Sequence, residues 1–143
     1  MKRTASAVWH GTGADGTGTL SSKSGVLDQT PYSTLSRFKS EDGTAGTNPE
    51  ELVAAAHAGC FTMALSYRLS AAGFVPDELS TKATLTMENE GGWVIKSILL
   101  ELQGKVPGVS AEEFQTLAAD AKANCPISRL LNCEILLNAE LVG

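Results

Sequence analysis

Basic residues are scarce in this chain and nowhere clustered: eleven Lys and Arg stand against sixteen Asp and Glu across 143 residues, a net charge of −5. A phosphate backbone needs a basic footprint, so nucleic acid is excluded as a partner. Long apolar runs are missing as well. The most apolar stretch is interrupted before the roughly 20 residues a membrane span requires. The N-terminal MKRTASAVWHG follows its two basic residues with polar and apolar alternation, in place of an apolar secretory segment of about 7–15 residues. The expected location is the cytoplasm, with no membrane partner.

Cysteine is limited to Cys60, Cys125 and Cys133, an odd number far apart in the chain, which excludes a structural disulfide framework. In a reducing compartment such cysteines serve catalysis, redox sensing or metal binding. Internal repeats, low-complexity tracts and linkers are also absent. Residues 1–143 are therefore expected to form one domain, long enough to bury roughly 68–70% of the surface its unfolded chain exposes.

What is present is one long apolar stretch, Gly46 to Ala72, around which the other elements are expected to be organised. Asn48 can cap a helix through its side-chain oxygen, Pro49 suits the first helical position, and Glu51 completes a capping-box pattern. Between Leu52 and Leu69 only His57, Thr62, Ser66 and Arg68 demand water, so apolar side chains fall on all faces and the helix is expected to be buried. Its small residues, among them Ala54, Ala55, Ala56, Ala58, Gly59 and Ala64, let other elements approach closely. Cys60 sits at its middle.

Before this helix, residues 3–10 alternate as a strand with one wet face, Gly11 to Gly18 supplies a turn, and two short strands follow around a bend near Gly25 and Pro31. Residues 36–46 read as a polar loop carrying Arg37. After the helix, Gly73 and Pro76 signal a stop. LSTKATLTME and GGWVIKSILLELQG then form a hairpin across Asn89 to Gly92. Ser110 and Glu113 open an amphipathic helix through about Ala123, with Phe114, Leu117, Ala118 and Ala121 on one stripe. A short turn, ISRLL, leads into a last strand with Ile135, Leu137, Ala139 and Leu141 facing inward.

This order gives an α+β protein with a mainly antiparallel sheet, a long buried central helix and a second helix. One small sheet is too little cover for such a helix, so a homodimer that shares its central helices is expected.

The thiolate is the reactive form of cysteine and local charge sets its population. Cys60 lies beyond the first helical turn, where the macrodipole acts, and needs a cation from elsewhere. Cys125 precedes Pro126 and can cap the PISRLL turn, whose free N–H groups favour a thiolate. Residue chemistry alone makes Cys125 the more acidic of the two, and leaves a buried core thiol as an open reading of Cys60. Cys133, opening the last strand, reads as core.

Taken together, GTNPEELVAAAHAGCF, the later NCPIS and the earlier PYSTLSRF resemble the OsmC branch of the OsmC/Ohr family of thiol peroxidases, over nearly the whole chain. The resemblance implies an intertwined homodimer with active sites at the interface, reducing organic hydroperoxides in bacterial oxidative and osmotic stress defence. It makes Cys60 the peroxidatic cysteine and Cys125 the resolving one, with Arg37 holding the Cys60 thiolate and Glu50 holding Arg37. The sister Ohr branch takes its arginine from the N-terminal loop, but GTGADGTG here contains none, which leaves Arg37. The implied cycle needs no bound cofactor or metal. The reductant is an external dithiol, with lipoylated protein as the partner the family points to.

Glu50 and Cys60 are ten positions apart, which on one straight helix separates their Cα atoms by roughly 15 Å and excludes a direct pair within one chain. A site built from both chains is one way to join them. His57, three residues before Cys60, can share its helix face. It reads as a thiolate neighbour, as one ligand in a His57, Cys60 and Cys125 metal set, or as a hydrogen-bonded core histidine; the close cysteine pairs typical of structural zinc are missing. Val53, Phe61 and Met63 are candidates to line an apolar substrate pocket. A rival functional class is a thiol redox sensor or stress-associated binding protein that oxidises without efficient turnover.

Overall fold

The computed structural model describes residues 1–143. The chain divides into two compact units, Met1–Leu52 and Val53–Gly143. In the first unit, strands β1 (Ala5–His10), β2 (Thr17–Ser22) and β3 (Thr30–Ser33) form an antiparallel sheet in that order. Gly16 and Gly18 are required by close approach: a Cβ at Gly16 would lie 2.3 Å from the Thr12 carbonyl and one at Gly18 would lie 2.3 Å from that of Val8. Their bare backbones admit the Trp9 and Tyr32 rings, which pack with centroids 5.3 Å apart. Contrary to the expectation of one wet face, every residue of β1 is exposed.

The segment carrying Arg37 is not a loop. Helix α1 (Thr34–Phe38) begins there because Ser33 and Ser36 cap each other reciprocally, the Ser33 hydroxyl accepting from the Ser36 N–H and the Ser36 hydroxyl from the Ser33 N–H. A serine at the third helical position performs the task that Glu or Gln performs in the usual capping box. Ser36 is buried and also donates to the Thr47 carbonyl at 3.2 Å, tying α1 to the start of the next helix.

That helix, α2 (Pro49–Ala71), opens as expected on Asn48, whose side chain accepts from the Glu51 N–H at 2.8 Å. The Glu51 carboxylate accepts from the Thr47 hydroxyl. The helix closes in a Schellman arrangement: Phe74 N–H reaches the Leu69 carbonyl, Gly73 N–H reaches that of Ser70, and Gly73 takes φ +91°. Within one chain α2 is buried along one side. Only His57, Phe61, Leu65 and Leu69, one stripe at four-residue spacing, are buried, while Met63 is 64% and Tyr67 73% exposed. Apolar residues on all faces of a helix bury only those faces the fold covers, and one chain covers one.

In the second unit β4 (Glu78–Asn89) and β5 (Trp93–Lys105) make the expected hairpin, with Gly91 at φ +78° in the turn. Helices α3 (Ala111–Asn124) and α4 (Pro126–Leu130) then carry the chain to β6 (Glu134–Leu141). β6 pairs parallel to β5, giving the order β4-β5-β6. Parallel neighbours need a long crossover, which α3 and α4 supply. The three other strand pairings are antiparallel.

Phe61, Leu65 and Leu69 of α2 meet Ile98, Leu100 and Leu102 of β5 and Phe114, Ala118 and Ala121 of α3 in the core, with Cys125 among them. Ile135, Leu137, Ala139 and Leu141 pack against it from β6. Gly104 matters here, since a Cβ would lie 2.5 Å from the Phe114 ring.

Candidate active site

Cys125 occupies the joint between α3 and α4, at φ −58° and ψ 131°, ending one helix and capping the next. Pro126 fits the first position of α4, where its missing N–H costs nothing. The Cys125 sulfur thereby accepts the Ser128 N–H at 3.4 Å, and the Ser128 hydroxyl and Ile127 N–H act on it as well. Cys60, on α2, projects toward this joint: its sulfur lies 3.1 Å from that of Cys125, and both thiols are free. Cys125 is fully buried and Cys60 half-buried.

The two thiols ionise in opposite directions. Burial pushes the Cys60 thiol up, the adjacent Cys125 sulfur adds to the rise, and the Ile127 N–H opposes it. Burial also works against ionisation of Cys125. There it is outweighed by the Ser128 N–H, the Cys60 thiol, the Ser128 hydroxyl and the Ile127 N–H, which leave Cys125 below the ordinary thiol range. The capping position expected to acidify Cys125 does so.

His57, one turn before Cys60, has no exposed surface. Its Nε2 is 2.7 Å from the Ser128 hydroxyl oxygen and its Nδ1 has no partner. A proton on Nδ1 would be a buried donor without an acceptor, at a cost of about 1–3 kcal/mol. A proton on Nε2 leaves only a lone pair unmatched, so the imidazole donates to Ser128. Burial lowers the His57 pKa and keeps the ring neutral near pH 7. His57 is thus buried and hydrogen-bonded within the core. No three His, Cys, Asp or Glu side chains converge as a metal-ligand cluster.

In the first unit the Arg37 guanidinium grips Glu50 through two nitrogens, Nε at 3.0 Å and Nη2 at 2.6 Å from Oε1, with Nε also 3.2 Å from Oε2. Arg37 also stacks over Phe38, 4.7 Å from the ring centroid. Trp9, Tyr32, Phe38 and Arg37 line a cleft of about 260 Å³ in this unit. Of the residues expected in an apolar pocket, Phe61 is instead wholly within the core, Val53 packs against it, and Met63 lies on a shallow open cleft beside Gly59 and Thr62. Cys133 packs at the core margin, where burial raises its pKa.

Sequence reasoning missed Ser128. The signal was present, because the third residue of a helix is where a capping side chain finds its N–H, and Cys125-Pro126-Ile127-Ser128 puts serine there.

Residues 40–140 match the family described as OsmC-like protein. The chain is 45% identical over 136 residues to the peroxiredoxin OsmC of Escherichia coli strain K12, covering 94% of this chain and 93% of that protein. It is 36% identical over 88 residues to the organic hydroperoxide resistance protein of Xanthomonas axonopodis pv. citri, covering 60% of each. Among solved structures, the organic hydroperoxide resistance protein OhrB of Bacillus subtilis superposes with a TM-score of 0.71 at 26% identity, over 97% of this chain and 98% of that one. The family match over residues 40–140 and the 45% identity over nearly the whole chain agree with the fold, and the chain belongs to the OsmC-like family.

Proposed function

We propose that this protein is a two-cysteine peroxidase that reduces organic hydroperoxides to alcohols. Its relatives' names support a hydroperoxide-directed oxidoreductase of the peroxiredoxin type. The observation that carries the two-cysteine chemistry is the pair of free sulfurs 3.1 Å apart, which must close by only about 1 Å to reach a bonding distance of about 2.05 Å.

In the proposed cycle the Cys60 thiolate attacks the terminal hydroperoxide oxygen, the O–O bond breaks, and the alkoxide leaves as the alcohol on taking a proton. Cys60 is left as a sulfenic acid. The Cys125 sulfur then attacks Cys60, hydroxide departs as water, and a disulfide forms. An external dithiol, such as a lipoyl group, restores both thiols through a mixed disulfide.

Burial holds Cys60 protonated, so its activation calls for a cation. Arg37, oriented by Glu50, is our candidate. A guanidinium both lowers a neighbouring thiol pKa and donates to peroxide oxygens as the bond breaks. The exposed apolar residues Val8, Trp9, Met63 and Tyr67 support a homodimer as the working form. We place the reaction in the cytoplasm, where thiols stay reduced; no helix is long and apolar enough to cross a membrane.

Steady-state reduction of cumene hydroperoxide beside hydrogen peroxide, with dihydrolipoamide as reductant, tests this reading. Preferred turnover of the organic peroxide supports it. A single oxidation without turnover favours a redox sensor.

A further inference from the structure

We propose that His57 and Ser128 form a hydrogen-bonded relay that positions Cys125 for its attack on Cys60, making both of them positioning residues for disulfide formation. This rests on the two-cysteine reading above and assigns work to a buried pair that the reading leaves idle.

The relay follows from which groups can donate. His57 Nε2–H donates to the Ser128 oxygen at 2.7 Å, because the buried Nδ1 has no acceptor to justify carrying the proton. Having accepted there, the Ser128 side chain is held in place by the buried imidazole. The Ser128 N–H points at the Cys125 sulfur. One residue therefore joins the two: its side chain is held by His57 and its backbone N–H donates to the Cys125 sulfur.

The titratable groups acting on the sulfur are both on α2: Cys60 directly, and His57 through Ser128. From α4 only the N–H groups of Ile127 and Ser128 and the Ser128 hydroxyl act on it.

The step served is balanced without a further reactant. Cys125 thiol and Cys60 sulfenic acid give a disulfide and one water: the S–S bond forms, the S–OH bond breaks, and the thiol proton ends on the departing hydroxide. The relay holds the Cys125 sulfur in place for the attack. When the dithiol later opens the disulfide, the same donors favour Cys125 as the leaving sulfur, since a lower-pKa thiolate leaves faster. Attack then falls on Cys60, the more exposed of the two.

The test reads the ionisation of Cys125 itself, with no peroxide present. In full-length protein carrying Cys60→Ser and Cys133→Ser, Cys125 is the one remaining thiol, and its thiolate ultraviolet absorbance is followed against pH. Ser128→Ala should raise the midpoint by about one pH unit, a roughly tenfold loss of thiolate at a given pH below it. His57→Leu should move it the same way, and His57→Gln, which keeps a donor near the Nε2 position, should restore it. An unchanged midpoint in folded Ser128→Ala protein overturns the relay, whether or not His57→Leu folds. Because no turnover is needed, a shifted midpoint supports the relay even if the peroxidase reading fails, and an unshifted one beside normal turnover counts against the relay alone.

Discussion

The Cys60 and Cys125 sulfurs lie 3.1 Å apart although 65 positions separate them in the chain. The contact joins the middle of α2 to the joint between α3 and α4, and closing it by about 1 Å would form a disulfide. If Cys60 is the attacking sulfur, Cys60→Ser abolishes peroxide reduction. Cys125→Ser should still consume one equivalent of hydroperoxide and then stall. Rapid-mixing measurement of peroxide consumed per subunit separates these outcomes from equal inactivity, which would remove both roles.

The Arg37–Glu50 pair predicts a graded loss. Arg37→Ala should lower kcat by about 10²–10³, the scale of removing one donor to a developing oxyanion. Glu50→Gln leaves the cation but loosens it, for a loss of roughly tenfold, or about 1.4 kcal/mol in the barrier. Mixed dimers of Cys60→Ser and Glu50→Ala subunits should regain one good site if each site draws on both chains; recovery of none contradicts a shared site.

His57 predicts how stability depends on acid. Burial lowers its folded pKa below the unfolded value near 6.5, so the unfolded chain binds the proton more readily. Stability is full above the unfolded value and is lost as pH falls from there through the folded pKa. Urea midpoints measured from about pH 7.5 downward should decline over that window in the wild type. His57→Gln, which cannot titrate, should flatten this part of the curve; an unaltered decline would assign it to other groups.

Phe114 closes the core over Gly104, and the pairing makes two predictions of opposite kind. Phe114→Ala opens a cavity and should cost about 3–5 kcal/mol. Gly104→Ala places a Cβ 2.5 Å from the ring and should cost about 1–3 kcal/mol by overpacking. Both are read from urea midpoints at unchanged m.

Cys133 packs at the core margin as a free thiol, bonded to neither of the other two. Cys133→Ser should leave peroxide turnover unchanged, as measured with cumene hydroperoxide. A lost or slowed cycle would bring the third thiol into the chemistry.

Much of this is legible in the sequence. Asn48 and Pro49 announced the start of α2 because capping chemistry is local, and Cys125 before Pro126 announced an acidic thiol for the same reason. The helical setting of Arg37 is hard to read from the sequence, since a serine pair standing in for the usual Ser and Glu box does not stand out in a polar stretch. The exposed faces of α2 were unreadable because apolar composition does not say which face a single chain will cover. The parallel pairing of β6 with β5 was hidden too, as strand direction depends on where the crossover returns. The bond from His57 to Ser128 spans 71 positions, and no local pattern encodes such a contact. For Cys60 the residues left two readings open, and only the resemblance chose between them.

The most direct measurement is peptide mapping after oxidation with one equivalent of cumene hydroperoxide per subunit. The account predicts a Cys60–Cys125 disulfide, one equivalent of cumyl alcohol, and Cys133 as a free thiol. Peroxide left unconsumed, or a disulfide that includes Cys133, would contradict it.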